Sequence, residues 1–425
     1  MTSAYLLQGD MLETLKQLPD NSVHAVVTDP PYHLTSIVKR FGKEGSAPAK
    51  FGTDGAFARA SRGFMGKEWD GGDIAFRPET WYEVLRVLKP GGHLLAFGGS
   101  RTYHRIAVAI EDAGFEIRDT IMWLYGSGFP KSHDVSKGID KHLGAQRDLA
   151  KPRSVIGHQR NIGNHRPWMD DPDHMTVSDV PASPEATQWA GWGSALKPAH
   201  EPIILARKPL EGTLAANTLK WGCGGINIDE SRIGTEGGTR KADTKEASLT
   251  KTVTAFGNGL NGGVVVALDK VRFPANVLHD GSDEVLDAFA VYGERKSGAS
   301  NGKRNPDQDR KVLSKFSGTE AGCYLREAST GTAARFFYSA KASAKDRDGS
   351  KHPTVKPQAL MRYLVKLVTP PNGTVLDCFA GSGSTGVAAL AEGFNTVLCE
   401  REAEYCQDIQ RRIPGIKVFA KKAVA

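Results

Sequence analysis

The chain alternates between stretches with a clear apolar rhythm and stretches without one. Val23 to Thr28 is a short apolar run that ends at a Pro-Pro turn, which predicts a strand. From Pro78 to Leu88, the residues Trp81, Leu85 and Leu88 recur at helical spacing, and Lys89-Pro90-Gly91-Gly92 supplies a stop. His93 to Phe97 predicts a buried strand, Tyr103 to Ala113 a second helix closed by Gly114, and Phe115 to Leu124 a further strand. The rhythm is lost from about residue 126 and returns at about 351. There, Gln358 to Val368 lines up Leu360, Met361, Leu364, Leu367 and Val368 on one helical face. Thr374 to Cys378 predicts a strand. A Gly-rich loop follows, then a helix through Ala391 stopped by Gly393, then a strand from Thr396 to Cys399. Strands alternating with helices at this spacing predict βαβ units, hence an α/β fold around a mostly parallel sheet.

The middle of the chain, rich in Gly, Ser, Pro, Lys and Asp, reads as a variable insertion whose loops order on contact with a partner. Asp170 to Ala186 and Asn301 to Lys311 read as exposed, while His200 to Ala206 and Trp221 to Ile228 read as ordered. Composition adds little. A length of 425 residues with 40% hydrophobic content allows two to three domains. The formal net charge of +7 fits a nucleic-acid partner and fits a merely basic enzyme equally well. No apolar run approaches the roughly 20 residues of a membrane span, and the N-terminus lacks the pattern of a secretory signal. Five cysteines, with no C-x-x-C pair, read as reduced thiols of a cytoplasmic protein, and the histidines do not cluster with them as a zinc site requires.

Two constellations carry chemistry. The first runs Val375-Leu376-Asp377-Cys378-Phe379-Ala380-Gly381-Ser382-Gly383-Ser384-Thr385-Gly386. A strand, a tight glycine loop and a helix start let the backbone approach a ligand and offer it unpaired N–H groups. Glu400 closes the next strand, roughly 20 residues on, where a ribose-binding acid belongs in such units. A nucleoside cofactor is implied. A P-loop is excluded because no Gly-Lys-Ser/Thr follows, but Gly381, Gly383 and Gly386 also satisfy the dinucleotide pattern, so nicotinamide stays open on this motif alone.

The second constellation is Thr28-Asp29-Pro30-Pro31-Tyr32, placed at the end of a strand. An aromatic amine is a poor nucleophile because its lone pair is delocalised into the ring. Acceptors for its two N–H hydrogens favour a pyramidal nitrogen and free the lone pair, acting mainly on charge that grows in the transition state. The Asp29 carboxylate can take one hydrogen and the Pro30 carbonyl the other. Pro30 and Pro31 stiffen the backbone that aims this carbonyl, and Tyr32 offers a flat face to a base removed from its stack.

Together these motifs resemble those of the DNA amino-methyltransferases, which act on adenine N6 or cytosine N4. Further stretches are similar to that family. Gly9-Asp10 resembles the segment whose acid contacts the cofactor's adenine, with Met11 beside it. His352-Pro353-Thr354-Val355-Lys356-Pro357 resembles the segment ahead of the glycine loop, where Thr354 and Lys356 would hold the cofactor's methionine end. Leu88 to Leu94, His200 to Leu205, and Tyr405 with Arg411-Arg412 also match. The catalytic motif precedes the glycine loop, the order of the circularly permuted β-class. Cys378 stands where the family often has Pro, and Ser384 where it often has Thr.

The resemblance implies a Rossmann-like methyltransferase fold, circularly permuted, with residues 1–208 and 351–425 as one discontinuous catalytic domain and 209–350 as a target-recognition region. It implies S-adenosylmethionine as cofactor, bound by Asp10, Met11, Asp29, Thr354, Lys356, Asp377, Phe379, Ala380, Gly381, Ser382, Gly383, Ser384, Thr385 and Glu400. Double-stranded DNA is the implied substrate, methylated by direct in-line attack of a flipped base. Catalysis falls to Asp29, Pro30, Pro31 and Tyr32, without a metal. Asp at position 29 favours adenine N6, since the cytosine N4 branch more often carries Ser there. Enzymes acting on protein glutamine usually carry Asn there, and the intact motifs weigh against an inactive DNA-binding scaffold. A homodimer built through the middle region or the helix from Tyr103 is expected, in the cytoplasm with the nucleoid, with or without a cognate restriction enzyme. Residues 37–69 are expected to close over the flipped base or the DNA strand, with Phe64, Met65 and Trp69 as candidate contacts and a core position as the alternative for Trp69. Arg232, Arg240, Lys241, Arg272, Lys303, Arg304, Arg310 and Lys311 are candidate DNA contacts in the middle region.

Overall fold

The computed structural model describes residues 2–32, 73–126, 128, 132–150, 176–233, 272–297, 300–302, 324–326, 329–340, 344–350, 352 and 354–420. It divides into a larger unit, residues 1–126 with 200–425, and a smaller one, residues 127–199. The larger unit holds the strands β1 (Ala4–Gln8), β2 (Val23–Thr28), β3 (Leu88–Phe97), β4 (Glu116–Leu124), β5 (His200–Arg207), β6 (Val277–His279), β7 (Tyr338–Ser339), β8 (Thr374–Asp377), β9 (Asn395–Glu400) and β10 (Lys417–Ala420). Its helices are α1 (Met11–Leu15), α2 (Pro78–Val87), α3 (Tyr103–Asp112), α4 (Leu214–Trp221), α5 (Asp283–Ala290), α6 (Gln358–Val368), α7 (Ser384–Ala391) and α8 (Ala403–Arg412).

All ten strands join one sheet in the order β7-β6-β4-β5-β3-β2-β8-β9-β1-β10. Every neighbouring pair is parallel except the two that β5 makes, with β3 and with β4. The sheet therefore runs one way with a single reversed strand. Strands from the two ends of the chain meet at its centre, where β2 lies beside β8. The mostly parallel α/β fold expected from the sequence is present, and the two terminal regions form one sheet.

The near-continuous apolar runs follow from burial of both faces. In β2, Val26 enters one core and Ala25 and Val27 the other. In β3, Leu94 and Ala96 face the first core, Leu95 and Phe97 the second. The first core takes Met11 and Leu15 of α1, Trp81 and Val84 of α2, and Ile106 and Ile110 of α3. The second takes the expected stripe of α6, with Ala388 and Ala389 of α7. A third cluster seats Cys406 and Ile409 of α8 against Leu398. Trp81, Phe97 and Leu94 are fully buried, and each large apolar side chain so placed stabilises the fold by roughly 1.5–3 kcal/mol.

One boundary differs from the sequence expectation by more than a single residue. Lys89-Pro90-Gly91-Gly92 ends the helix as expected, but the strand already begins at Leu88, not His93. The four residues form an irregularity inside β3: Leu88 pairs with Val23 and His93 with Ala25. Gly91 adopts φ 76°, and a Cβ there would meet the Asn217 amide at 2.4 Å, so the Pro-Gly-Gly run supplies a kink rather than a loop.

The smaller unit carries helices Val135–Leu143 and Pro184–Gln188 and a two-residue ladder, Leu149–Ala150 with Thr176–Val177. It is tied by the buried ion pair of Arg147 with Asp140, 2.5 Å. Part of the stretch expected as an exposed loop, Asp170 to Ala186, thus folds: Ser183 caps the second helix through the Ala186 N–H, and Ser136 donates to the Ala186 carbonyl. The described part of 209–350 belongs to the larger unit. No helix among the described residues is long and apolar enough to cross a membrane.

Candidate active site

In a parallel sheet the loops that follow the strands gather at one edge, and ligand sites form where they do. β2 delivers Asp29, Pro30, Pro31 and Tyr32 to that edge, and the adjacent β8 delivers the glycine loop. A direct bond links the two: the Thr28 hydroxyl donates to Asp377 Oδ1 at 2.7 Å, across 349 residues of sequence. Asp377 also accepts from the Thr385 hydroxyl at 2.6 Å and the Phe379 N–H at 3.1 Å. Burial raises its pKa to about 6 against these three donors.

The glycine loop has the geometry of a cradle. Gly381 (φ 51°) and Gly383 (φ 78°) sit in the left-handed region. A Cβ on Gly381 would stand 2.9 Å from His352 Nε2, and one on Gly383 2.9 Å from Ile409 Cγ1. The loop is braced from outside. Arg412 donates to the Ser382 carbonyl at 2.6 Å, Gln358 to the Ser384 carbonyl at 3.2 Å, and Ser382 and Ser384 hydroxyls are 3.1 Å apart. Phe379 and Ala380 lead into the loop, and Thr385 lies in the first turn of α7. His352, beside Gly381, packs edge-on against Tyr405 of α8 at 4.5 Å, so α8 supports this loop.

Glu400 ends β9 one strand over. Its Oε2 accepts the Gly381 N–H at 2.7 Å and its Oε1 the Glu402 N–H at 2.7 Å. Burial raises its pKa to about 7, only partly offset by those backbone donors. On the next strand, β1 pairs Gln8 with Glu400, and Asp10 follows as the N-cap of α1, accepting the Leu12 N–H at 2.9 Å. Met11 is buried beside it. Asp10, Met11, Asp377 to Thr385 and Glu400 therefore line one end of three neighbouring strands. Thr354 lies just beyond, its N–H donating to His352 Nδ1 at 3.3 Å.

Around Asp29 the contacts are different in kind. Tyr32 Oη donates to Asp29 Oδ1 at 2.6 Å, and Lys356 Nζ stands 2.9 Å from Oδ2. The same Nζ lies 2.9 Å from Glu201 Oε2, 3.4 Å from Tyr32 Oη and 4.7 Å from the centre of the Phe97 ring. Burial disfavours the Lys356 ammonium, but Asp29 and Glu201 outweigh it and its pKa lies above the ordinary lysine value. Burial, then Asp29 and Glu201, push the Tyr32 hydroxyl well above its usual range, which keeps it a donor. Thr102 holds the loop by donating to the Tyr32 carbonyl at 3.0 Å.

Phe97 and Thr102 have no part in the sequence motifs. Thr28, Glu201 and Arg412 lie within motif or matched stretches that give them no site role, because the sheet order is what brings their side chains to this edge. Lys356, expected at the cofactor's methionine end, has its ammonium turned to Asp29 and Glu201. Residues 37–69, with Phe64, Met65 and Trp69, lie outside the described residues, as do Arg240, Lys241, Lys303, Arg304, Arg310 and Lys311. Arg232 and Arg272 are described, over the rings of Phe273 and Phe336 respectively. Among the described residues no group of three or more His, Cys, Asp or Glu is placed to hold a metal ion.

A sheet of this order, with a glycine cradle and a strand-end acid beside an Asp-Pro-Pro-Tyr loop, defines a Rossmann-like methyltransferase fold. A family model described as DNA methylase, of the N6/N4 type, matches residues 23–411, and the chain belongs to that family. It is similar to the type II methyltransferase M.HindIII of Haemophilus influenzae, 26% identical over 237 residues, which are 52% of this chain and 64% of that protein. The type II methyltransferase M.HinfI of the same organism is 40% identical over 78 residues, 18% of this chain and 22% of its own. The matched stretches thus span less than two thirds of these curated relatives. The crystal structure of the M1.HpyAVI–SAM complex aligns over 96% of this chain and 98% of its own at 16% identity and a TM-score of 0.36.

Proposed function

We propose that this protein transfers a methyl group from S-adenosylmethionine to an exocyclic amino group in double-stranded DNA, with adenine N6 as the acceptor. The observation that carries the reading is the Thr28–Asp377 bond, which fixes the Asp-Pro-Pro-Tyr loop and the glycine cradle on adjacent strands. Amine-activating acceptors and a nucleoside cradle side by side are what methyl transfer to a base requires.

The residues fit the cofactor. Gly381 and Gly383 give the loop a positive-φ turn against which His352 and Ile409 pack, and the helix start of α7 offers N–H groups. In this reading Glu400 takes the ribose hydroxyls and Asp10 the adenine, with Met11 and the loop from Asp377 to Thr385 around them. Thr354 completes the set expected from the family; Lys356, expected there too, turns its ammonium to Asp29 and Glu201 instead. Bound there, the cofactor supplies a methyl made electrophilic by its sulfonium. The chain's own part is to bind the amine. Asp29 accepts one N–H, the Pro30 carbonyl the other, and Tyr32 supports the base, which must leave the duplex to reach this edge. The Asp at 29 favours adenine over cytosine N4.

Partners follow from the substrate. The region 209–350, with Arg232 and Arg272, is the proposed source of sequence reading, and a homodimer on the nucleoid is the proposed assembly, with or without a restriction enzyme. The test is incubation with unmethylated DNA and S-adenosylmethionine, followed by nucleoside mass spectrometry. N6-methyladenine is expected. N4-methylcytosine would overturn the base assignment alone, and no methylated nucleoside despite cofactor binding would overturn the function.

A further inference from the structure

Lys356 has three N–H donors, and this chain's own acceptors engage them. Asp29 Oδ2 and Glu201 Oε2 are each at 2.9 Å, and Tyr32 Oη is at 3.4 Å. The ammonium is buried, with the Phe97 ring 4.7 Å away. A lysine so engaged has little left for a carboxylate of the cofactor. What it does instead is fix Asp29: Tyr32 holds one carboxylate oxygen and Lys356 the other, so the group cannot rotate.

Glu201 is the unexpected member. β5 is the one reversed strand, so its first residues, not its last, arrive at the edge where β2 and β8 end. A lone ammonium on Asp29 would neutralise it and weaken it as an acceptor. Glu201 shares the ammonium, so two carboxylates and one ammonium leave one net negative charge. That charge sits where a methylated amine would become cationic, and in a dry site it acts with little screening.

We infer that Glu201 and Lys356 are positioning residues that set the orientation and net charge of Asp29 for the amine, an inference that rests on the proposed methyl transfer. The pair acts through Asp29 and does not touch the base. Other titratable groups face the cluster: Tyr32 in the loop, Tyr125 after β4 and Asp377 at the end of β8. None of these residues is substituted in the variants below, but Glu201 acts on Tyr32 and both members of the pair act on Tyr125, hydroxyls already raised above their usual range, so the readout is confined to the acid limb.

The experiment measures kcat/KM against pH for the full chain and for Glu201→Gln, Lys356→Met and Lys356→Arg, with S-adenosylmethionine affinity by calorimetry alongside. Glu201→Gln removes a negative neighbour, so the acid limb should move to lower pH by about one unit, with kcat down roughly 10- to 100-fold and cofactor affinity within about threefold. Lys356→Met removes the cation, so the limb should move the other way, and Lys356→Arg should restore it towards the wild-type position. Limbs that stay put, or move in the same direction, overturn the inference while an active wild type leaves the function standing. A tenfold or greater loss of cofactor affinity in Lys356→Met with an unmoved limb also overturns it, in favour of the cofactor's methionine end. Should Lys356→Met not fold, Glu201→Gln decides alone, because an unmoved limb there is already fatal. A wild type that methylates nothing removes both readings together.

Discussion

The two loops at the centre of the sheet hold carboxylates in opposite ways. At the glycine loop, Asp377 and, one strand over, Glu400 are buried against hydroxyl and N–H donors, and burial pushes both up, to about 6 and about 7. In the Asp-Pro-Pro-Tyr loop, Asp29 is matched by a buried ammonium that a second carboxylate shares. The difference follows from what each must meet. Neutral ribose hydroxyls and the neutral adenine edge can be bound by polarised groups near neutrality. A nitrogen about to become cationic calls for a carboxylate whose charge is secured beforehand. The loops meet through the Thr28–Asp377 bond and through the charge of Asp29, which acts on Asp377, while each keeps its own set of remaining bonds.

The largest effect is expected on the Asp29 side. Asp29→Ala removes the acceptor for the amine and should lower kcat by at least about a thousandfold, since loss of one preorganised charged partner of the transition state typically costs that order. S-adenosylmethionine affinity should change little, because the glycine loop keeps its own bonds: Asp377 retains Thr28 and Thr385, and Glu400 retains Gly381. Single-turnover kinetics and calorimetry measure the two separately. Substantial turnover in this variant would remove Asp29 from the chemistry.

The glycine-loop side should respond in binding. Glu400 has a folded pKa of about 7 against an ordinary 4.5, so folding favours its protonated form. The stability this gives is fully present below about pH 4.5 and is lost as pH rises through about 7, up to a few kcal/mol over that window. Ribose hydroxyls, as donors, prefer the carboxylate. Cofactor affinity should therefore tighten as pH rises through about 7 while the free protein becomes less stable. Glu400→Gln should bind roughly 10- to 100-fold more weakly at about pH 8, with a flat pH dependence, and be the more stable free protein there. Calorimetry and thermal unfolding at about pH 5 and pH 8 check both signs, and a pH-dependent affinity surviving in the variant would assign the titration elsewhere.

What was legible in the sequence was local. Val23 to Thr28 and Gln358 to Val368 have the bounds read from periodicity, and both chemical loops announce themselves through Pro and Gly, which constrain their own backbone. Glu201 did not, because its position depends on β5 inserting antiparallel between β3 and β4, a pairing set by non-local register. Within β5, the apolar run Ile203 to Ala206 reads the same in either direction. Lys356 was found by its motif, but the motif does not say which way a four-carbon side chain turns. Pro90-Gly91-Gly92 misled for the opposite reason: residues that end elements also kink them.

The smallest effect should come from the link between the loops. Thr28→Val keeps the shape of a fully buried side chain and deletes one of three donors to Asp377. The cost should be about 1–2 kcal/mol where Asp377 is charged and less where it is neutral. Losing a donor also raises the Asp377 pKa further above about 6, and stability tied to a raised carboxyl is lost as pH rises through that value. The deficit in Tm should accordingly be a few degrees at about pH 8 and close to nothing at about pH 5. A deficit equal at both pH values would mean that Thr28 matters to packing, not to the carboxylate. If kcat fell as well while affinity and Tm held, the bond would be serving the relative placement of amine and methyl, and the two loops would be one device after all.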